Sequence, residues 1–149
     1  MAGRKDGFLL EIGPEPRYVA TARMFAAAVA RHFNCEEDAI QDLKVAISEA
    51  CSNSIKAHQT QSLGRPIRIA VRTDQDGLVY EIVDSGSGFA WDSTNAVDFS
   101  SGPPAEELLE GGIGLSLINA LFPDLEVSPN EEGGTTVRFR IPASTGNAA

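Results

Sequence analysis

Residues 110–118 read EGGIGLSLI, so three glycines fall within four positions directly before an apolar, helix-like run. Glycine loses more backbone freedom on folding than any other residue, so such a cluster marks a sharp turn or a close approach to another group. The start of a helix leaves unpaired N–H groups and a partial positive charge, and both suit a phosphate. The stretch is either a phosphate-binding turn or simply the turn that opens a helix.

Two common phosphate-binding patterns do not account for this stretch. The dinucleotide-binding fingerprint would place a third glycine where this chain has Leu117. The Walker loop would continue with Gly-Lys and a hydroxyl residue, which do not follow here. Taken alone, the stretch leaves both readings open.

The bulk properties describe one acidic globular domain spanning residues 1–149. The net charge is −9, the pI is about 4.6 and 42% of the residues are hydrophobic. This length can bury a real core. Because the sequence offers no basic stripe, we expect no direct binding of nucleic acid, whereas a basic protein partner is compatible with the charge.

The sequence contains few signals for metals, disulfides or membranes. Cys35 and Cys51 show no C-x-x-C spacing and the histidines no H-x-x-x-H spacing, so we expect neither a structural zinc site nor a disulfide framework and interpret the cysteines as core residues. The longest apolar run, MFAAAVA, is too short to span a membrane, and the N-terminus has no apolar signal core. We expect a cytoplasmic protein that does not contact a membrane.

Periodicity and turn residues predict the element order βααββ, a long loop, then αββ. Residues 16–33 are predicted to form the first helix, and Asn34 is predicted to cap a second helix that ends near His58. Residues 89–111 are predicted to form the loop and 142–149 a frayed tail. The fold class is α+β: a two-layer α/β sandwich with a mostly antiparallel mixed sheet and helices on one face.

Glu49 and Asn53 form the first candidate site. They are four residues apart on the second predicted helix, so they share a face that is not its apolar stripe. A carboxylate beside an amide can act as a general base and bind magnesium, which takes few, hard oxygen ligands. Taken alone, the pair is more often an ordinary solvated helix face.

VDSGSGF places Asp84 at the end of an apolar strand, with Gly86 and Gly88 opening a loop that could hold a flat base. A half-buried carboxylate there can accept a hydrogen bond from the amino group of adenine. Guanine would present a carbonyl oxygen instead, and two facing acceptors would cost about 1–3 kcal/mol. The alternative is a plain turn after a strand, just as Thr135 after Gly134 can be the simple start of the last strand.

Together the motifs resemble those of the GHKL (Bergerat-fold) ATPases, with Glu-x-x-x-Asn, Asp-x-Gly-x-Gly, a lid, Gly-x-Gly-Leu and Gly-Thr in this order over residues 36–141. Each motif is weak, whereas four in order are strong. Within that superfamily, DLKVAISEACSNSIKAH and EGGIGLSLI are most similar to the anti-sigma-factor serine kinases of the RsbW and SpoIIAB type. The resemblance implies the GHKL fold, with 89–111 as the ATP lid.

The resemblance also implies a role for each matching residue. Glu49 would be the general base for a serine hydroxyl, and Asn53 would hold magnesium between the phosphates of ATP. Asp84 would read the adenine amino group, helped by Thr135. The other matching residues would shape the base pocket or cradle the phosphates: Gly86, Gly88, Gly112, Ile113, Gly114 and Leu115.

Departures from the family pattern concern cations. The histidine that relatives often carry four residues after the helix asparagine is Ala57 here, and His58 stands one step later. The arginine that some relatives have before the glycines is Glu110. Lys56 and Arg65 are the remaining candidates for a cation near the γ-phosphate. Because such a cation would assist phosphoryl transfer, these departures put the rate of transfer in question more than the binding of nucleotide.

The leading hypothesis is an anti-sigma factor that binds a sigma factor and, as an ATP-dependent kinase, phosphorylates a serine of a STAS-type antagonist. A homodimer is expected by resemblance, with Met24 and Phe25 of the first helix as a possible contact. The alternative is a nucleotide-gated regulator with little or no kinase activity. The catalytic domain of a histidine kinase ranks lower, because the sequence shows no helical hairpin with a phospho-acceptor histidine.

Overall fold

The computed structural model describes residues 7–86, 88, 91 and 113–142. The elements are β1 Gly7–Ile12, a 3-10 turn Pro16–Tyr18, α1 Val19–His32, α2 Glu37–Thr60, β2 Ile67–Asp74, β3 Gly77–Val83, α3 Ile113–Leu121, β4 Glu126–Pro129 and β5 Thr135–Pro142. The predicted element order is confirmed. Apart from Trp91, the expected lid (89–111) lies outside the described residues. Strand β5 includes Pro142, so the predicted tail (142–149) starts one residue too early, and its remainder lies outside the described residues.

The strands form one sheet in the order β1-β2-β3-β5-β4, and every pairing among the described strands is antiparallel. The register aligns the apolar residues in rows across one face, for example Phe8, Val71, Tyr80 and Phe139. The helices cover this face, because their buried residues form one core cluster with the apolar rows. The α+β class with helices on one face of a largely antiparallel sheet is confirmed, whereas the expected mixed character is not seen, since no parallel pairing occurs among the described strands.

Helix α2 is the centre of the helical layer. Helix α1 packs on it and on the sheet through small side chains, and Ala22, Ala26 and Ala30 are completely buried. The Tyr80 hydroxyl donates to the Ala26 carbonyl oxygen at 2.7 Å, and its ring stacks on Phe139 with centroids 5.8 Å apart. These contacts fix α1 against the sheet. Helix α2 joins the same core through its buried stripe: Ile40, Leu43, Ala46, Ile47, Ala50, Cys51, Ser54, Ile55 and His58.

The prediction that Asn34 caps α2 is wrong. Asn34 has a φ of 59°, and its N–H donates to the carbonyl oxygen of Arg31 in the last turn of α1. Helix α2 begins later, with Glu36 as its N-cap residue. Asparagine is favoured both as an N-cap and as the left-handed residue that ends a helix, so the same letter marks either boundary.

The sheet face opposite the helices carries a row of alternating charges. Arg72 and Arg138 both pair with the carboxylate of Glu81, and Arg138 also contacts Glu126 at 3.3 Å. Opposite charges in neighbouring positions across strands favour this strand register. Because such exposed pairs contribute little individually, their effect is on register more than on total stability.

Two smaller sequence predictions, one for a hairpin turn and one for the burial of the cysteines, are confirmed. DQDG is a hairpin turn, in which Asp74 Oδ1 accepts hydrogen bonds from the N–H groups of Asp76 and Gly77. Cys35 and Cys51 are buried and unpaired, and burial raises the pKa of the Cys51 thiol to about 12. None of the helices in the described ranges is both long and apolar enough to cross a membrane.

The start of β5 approaches the end of β3 so closely that only glycine fits at position 134. A Cβ atom there would lie 1.9 Å from the carbonyl oxygen of Asp84. We expect Gly134→Ala to lower the free energy of unfolding by at least about 3 kcal/mol, because one of the two strands must move. Urea denaturation measures the change.

Gly64→Ala is the matched control for this substitution. A Cβ atom at Gly64 would meet nothing within 4 Å, so we expect an effect below about 0.5 kcal/mol. Wild-type stability in Gly134→Ala would contradict the close approach of the two strands.

Candidate functional site

Asp84 follows the last residue of β3, and its side chain is buried, with 5% exposed. Its Oδ1 atom accepts hydrogen bonds from the backbone N–H groups of Gly86 and Thr135, both at 3.0 Å. Its Oδ2 atom accepts a hydrogen bond from the Ser54 hydroxyl at 2.8 Å. Three elements therefore hold one carboxylate: the loop after β3, strand β5 and helix α2.

The carboxylate of Asp84 retains capacity for one more donor. A carboxylate offers about four acceptor positions, and the described residues fill three of them. The remaining position is on Oδ2, beside Ser54. A buried acceptor that faces another acceptor costs about 1–3 kcal/mol, so this position suits an amino group and disfavours a carbonyl.

The turn between β4 and β5 is tied to Asp84 by Asn130. The Asn130 side-chain amide donates to the Asp84 carbonyl oxygen at 3.0 Å, and its Oδ1 accepts from the N–H groups of Glu132 and Gly134. Asn130 thus closes its own turn and anchors β3 to it. Sequence reasoning missed this residue, although an asparagine in PNEEGG is the kind of turn residue that makes such bonds.

His58 holds the other side of the same loop. The imidazole is completely buried, and its Nε2 atom accepts a hydrogen bond from the Ser85 backbone N–H at 2.9 Å. Since Nε2 is an acceptor, the proton sits on Nδ1, which donates to the Arg65 carbonyl oxygen at 3.1 Å. Sequence reasoning noted His58 only as a shifted family histidine and missed this role.

Gly86 and Gly88 are packed against the protein itself. A Cβ atom on Gly86 would lie 2.8 Å from the Cβ of Ala57 on α2. Gly88 donates its N–H to the Gly133 carbonyl oxygen at 3.0 Å. Gly86 therefore lets the loop after Asp84 approach α2, and Gly88 lets it approach the β4–β5 turn. These two contacts position the loop.

Glu49 and Asn53 lie against the start of α3. A Cβ atom on Gly114 would be 2.9 Å from Glu49 Oε2 and 3.2 Å from Asn53 Nδ2. Glycine at this position lets the first turn of α3 approach both side chains. The structure thus brings Glu49, Asn53 and Gly114 together, although Gly114 is more than sixty residues away in the sequence.

This second cluster fits a magnesium ion and phosphates in its chemistry. Glu49 is half-buried and Asn53 is exposed, so both can reach a ligand in solvent. Their side chains carry the hard oxygen atoms that magnesium takes, and the first N–H groups of a helix suit phosphate oxygens. Asn53 and Gly114 would be the points of contact for such a ligand.

The other predicted site residues are placed as follows. Ile113 begins α3 and is half-buried, whereas Leu115 is buried in the core, so only its backbone could face a ligand. Thr135 is buried at the start of β5, beside Asp84. Gly112 lies outside the described residues.

Helix α2 links the two clusters. Asn53 points towards α3, and the next residue, Ser54, donates to Asp84. Successive residues on a helix are about 100° apart, so one turn of α2 serves both clusters from two of its sides. Sequence reasoning did not single out Ser54, because it lies on the buried stripe of the helix and no local signal distinguishes it there.

Comparisons with known proteins agree with this arrangement. Residues 12–141 match the family model described as the histidine kinase-like ATPase domain. A serine-protein kinase RsbW of Bacillus cereus (strain Q1) is 32% identical over 139 residues, which cover 92% of this chain and 85% of the relative. RsbW of strain B4264 is 33% identical, and RsbW of Bacillus thuringiensis subsp. konkukian (strain 97-27) is 32% identical, over the same shares.

The sheet, the helical layer and the family match define the class: the chain belongs to the histidine kinase-like, or GHKL, ATPases. Within that family it is of the RsbW type, by similarity over nearly its whole length. The resemblance drawn from the motif order is confirmed.

The hydrogen bond from Ser54 to Asp84 is expected to contribute measurably to stability. Ser54→Ala removes a buried donor to a carboxylate, so the free energy of unfolding should fall by about 1–3 kcal/mol. Ser52→Ala, an exposed position on the same helix, is the control and should change stability by less than about 0.5 kcal/mol. Equal effects of the two substitutions in urea denaturation would contradict the contact.

Proposed function

We propose that the protein is an anti-sigma factor and an ATP-dependent protein-serine kinase. It binds a sigma factor, and it transfers the γ-phosphate of ATP to a serine of a STAS-type antagonist. The proposal rests on the arrangement of side chains along α2. Glu49 and Asn53 lie against the start of α3, and the buried Asp84 carboxylate, which Ser54 contacts, has an acceptor position that the described residues leave open. The serine-protein kinases among its relatives support the reaction class.

The phosphate end of the site needs mainly positioning, because phosphoryl transfer asks little covalent chemistry of the protein. Glu49 is the proposed base that takes the proton from the serine hydroxyl, and α2 holds it rigidly. Asn53 would hold magnesium, which when bound neutralises phosphate charge. The phosphates would meet the backbone of Gly112, Ile113, Gly114 and Leu115.

The base end of the site selects adenine in this proposal. The open acceptor position of Asp84 would receive the adenine amino group, with Thr135 beside it. Gly86 and Gly88 would shape the pocket indirectly, because they bring the loop against α2 and the β4–β5 turn. ATP is therefore the proposed nucleotide and GTP is disfavoured.

The partners and setting are also proposals. We propose a homodimer that acts in the cytoplasm and contacts neither nucleic acid nor a membrane directly. Met24 is 72% exposed and suits a protein contact, whereas Phe25 is half-buried and packs against the core. Of the two residues suggested by the sequence, Met24 is therefore the better candidate for the dimer face.

A nucleotide titration tests the pocket without any partner. We expect calorimetry to show binding of ATP and ADP but not GTP, and Asp84→Asn to weaken ATP binding at least about fivefold, because an amide nitrogen would face the adenine amino group. Asn53→Ala should remove the dependence on magnesium. Asp76→Asn, an exposed position at the hairpin tip, is the control. Absence of nucleotide binding at millimolar concentration would overturn the proposal.

Transfer to the antagonist tests the catalytic role of Glu49. Glu49→Gln should lower the rate of antagonist phosphorylation about 10²–10⁴-fold, the usual contribution of a general base, while ATP affinity stays within about twofold. Phosphoserine is measured by mass spectrometry of the antagonist. Glu37→Gln, at the exposed start of the same helix, should leave the rate unchanged. Wild-type transfer by Glu49→Gln would remove Glu49 from the base role.

The candidate cations are the reason to keep the alternative of a nucleotide-gated regulator with little kinase activity. Arg65 follows α2, and its carbonyl oxygen lies 3.1 Å from Nδ1 of His58. Lys56 is exposed. Neither forms a described ion pair with Glu49. Phosphoserine on an antagonist after incubation with ATP would exclude this alternative.

A further inference from the structure

We propose that His58 is a positioning residue for nucleobase selection, acting through Ser85 on the carboxylate of Asp84. This inference rests on the proposed nucleotide site and deepens it. His58 touches neither the proposed phosphate contacts nor, in the contacts described, the carboxylate itself. Its effect would be on which base binds and not on the transfer step.

The hydrogen bonds around His58 are compatible with only one tautomer of its imidazole. The side chain is completely buried, and both ring nitrogens are engaged: Nε2 accepts from the Ser85 N–H at 2.9 Å and Nδ1 faces the Arg65 carbonyl oxygen at 3.1 Å. A backbone N–H can only donate and a carbonyl can only accept, so the ring is neutral with its proton on Nδ1. The imidazole thus bridges the chain after α2 to the loop after β3.

The two peptide N–H groups that follow Asp84 are both held. The Ser85 N–H is bound by His58, and the Gly86 N–H is bound by the Asp84 carboxylate. Because the Gly86 N–H also orients Oδ1, a shift of the Ser85 peptide would turn the carboxylate. The angle at which Oδ2 presents its open acceptor position therefore depends on the acceptor at His58 as well as on the donors Ser54 and Thr135.

The residue before His58 could not take its place. Residue 57 is an alanine whose Cβ faces Gly86. A Cβ on Gly86 would lie 2.8 Å from it, so this contact has room for little more than the one methyl group. Placing the histidine one residue later turns it about 100° around α2, into the interior and onto the Ser85 peptide.

Two substitutions separate the two hydrogen bonds of His58. In His58→Gln, the amide oxygen can reach the position of Nε2 and accept from Ser85. In His58→Asn, the shorter amide reaches only the position of Nδ1, so the Ser85 N–H loses its acceptor. His32→Asn, an exposed histidine on α1, is the control.

The readout is the ratio of the dissociation constants of inosine triphosphate and ATP, which differ by a carbonyl in place of the amino group. A loss of folded protein weakens both nucleotides equally and leaves the ratio unchanged, whereas a misplaced carboxylate lowers it. We expect His58→Asn to lower the ratio at least about fivefold, since an unpaired buried N–H costs enough to move the loop. His58→Gln and His32→Asn should stay within about twofold of wild type.

An unchanged ratio in folded His58→Asn overturns the inference. A wild-type protein that binds ATP no better than inosine triphosphate overturns the adenine assignment and this inference with it, so the two failures can be told apart. Nitrogen-15 NMR of the wild-type imidazole gives a second test that needs no variant. We expect the Nδ1–H tautomer, and a proton on Nε2 would equally overturn the inference.

Discussion

The burial of the Asp84 carboxylate constrains much of the surrounding structure. A charged group can be taken out of water only if donors replace the lost hydration. Here the donors come from elements far apart in the chain, namely Ser54 on α2 and Thr135 at the start of β5. The helix and the last strand must therefore meet at the end of β3, and Gly134 permits the backbone contact that this meeting requires.

The same constraint joins the two halves of the proposed nucleotide site. Helix α2 supplies Glu49 and Asn53 to the phosphate end and Ser54 to the base end, and its far end supplies His58. The spacing between the base and phosphate contacts is thus set within one rigid helix. Helix α3 completes the phosphate end because Gly114 lies against Glu49 and Asn53 of α2. The β4–β5 turn completes the base end through the hydrogen bond from Asn130 to Asp84.

Much of this arrangement could be predicted from the sequence, because it depends on the spacing of nearby residues and on the order of short motifs along the chain. The spacing of Glu49 and Asn53 follows from helical periodicity, and the alternation in IRIAVRT and TTVRFRI gives the strands and their inner faces. Asp84 could be picked out because it ends an apolar strand before two glycines. The order of these motifs then identified the family, which is information that no single motif contains.

The residues that sequence reasoning missed act through contacts between distant segments. Ser54 and His58 sit in an apolar helical stripe, and only the approach of the loop after β3 turns them into hydrogen-bonding partners. Gly86 and Gly88 were predicted to shape a base pocket, and sequence spacing could not show that they do so from positions against Ala57 and the β4–β5 turn. The prediction that Asn34 caps α2 was wrong for a different reason, since asparagine suits both the end of one helix and the start of the next.

The bond between Asp84 and Thr135 also bears on the synthesis of the protein. These residues are 51 positions apart, and Thr135 begins the last strand of the described sheet. A growing chain emerges from its N-terminus, so the first two helices and the first three strands are made well before that strand exists. Until β5 pairs with β3, the carboxylate lacks the hydrogen bond from Thr135, and the proposed base pocket is incomplete. The proposed pocket is therefore completed only once β5 has been made, and a chain that stops before β5 cannot hold nucleotide in the proposed way.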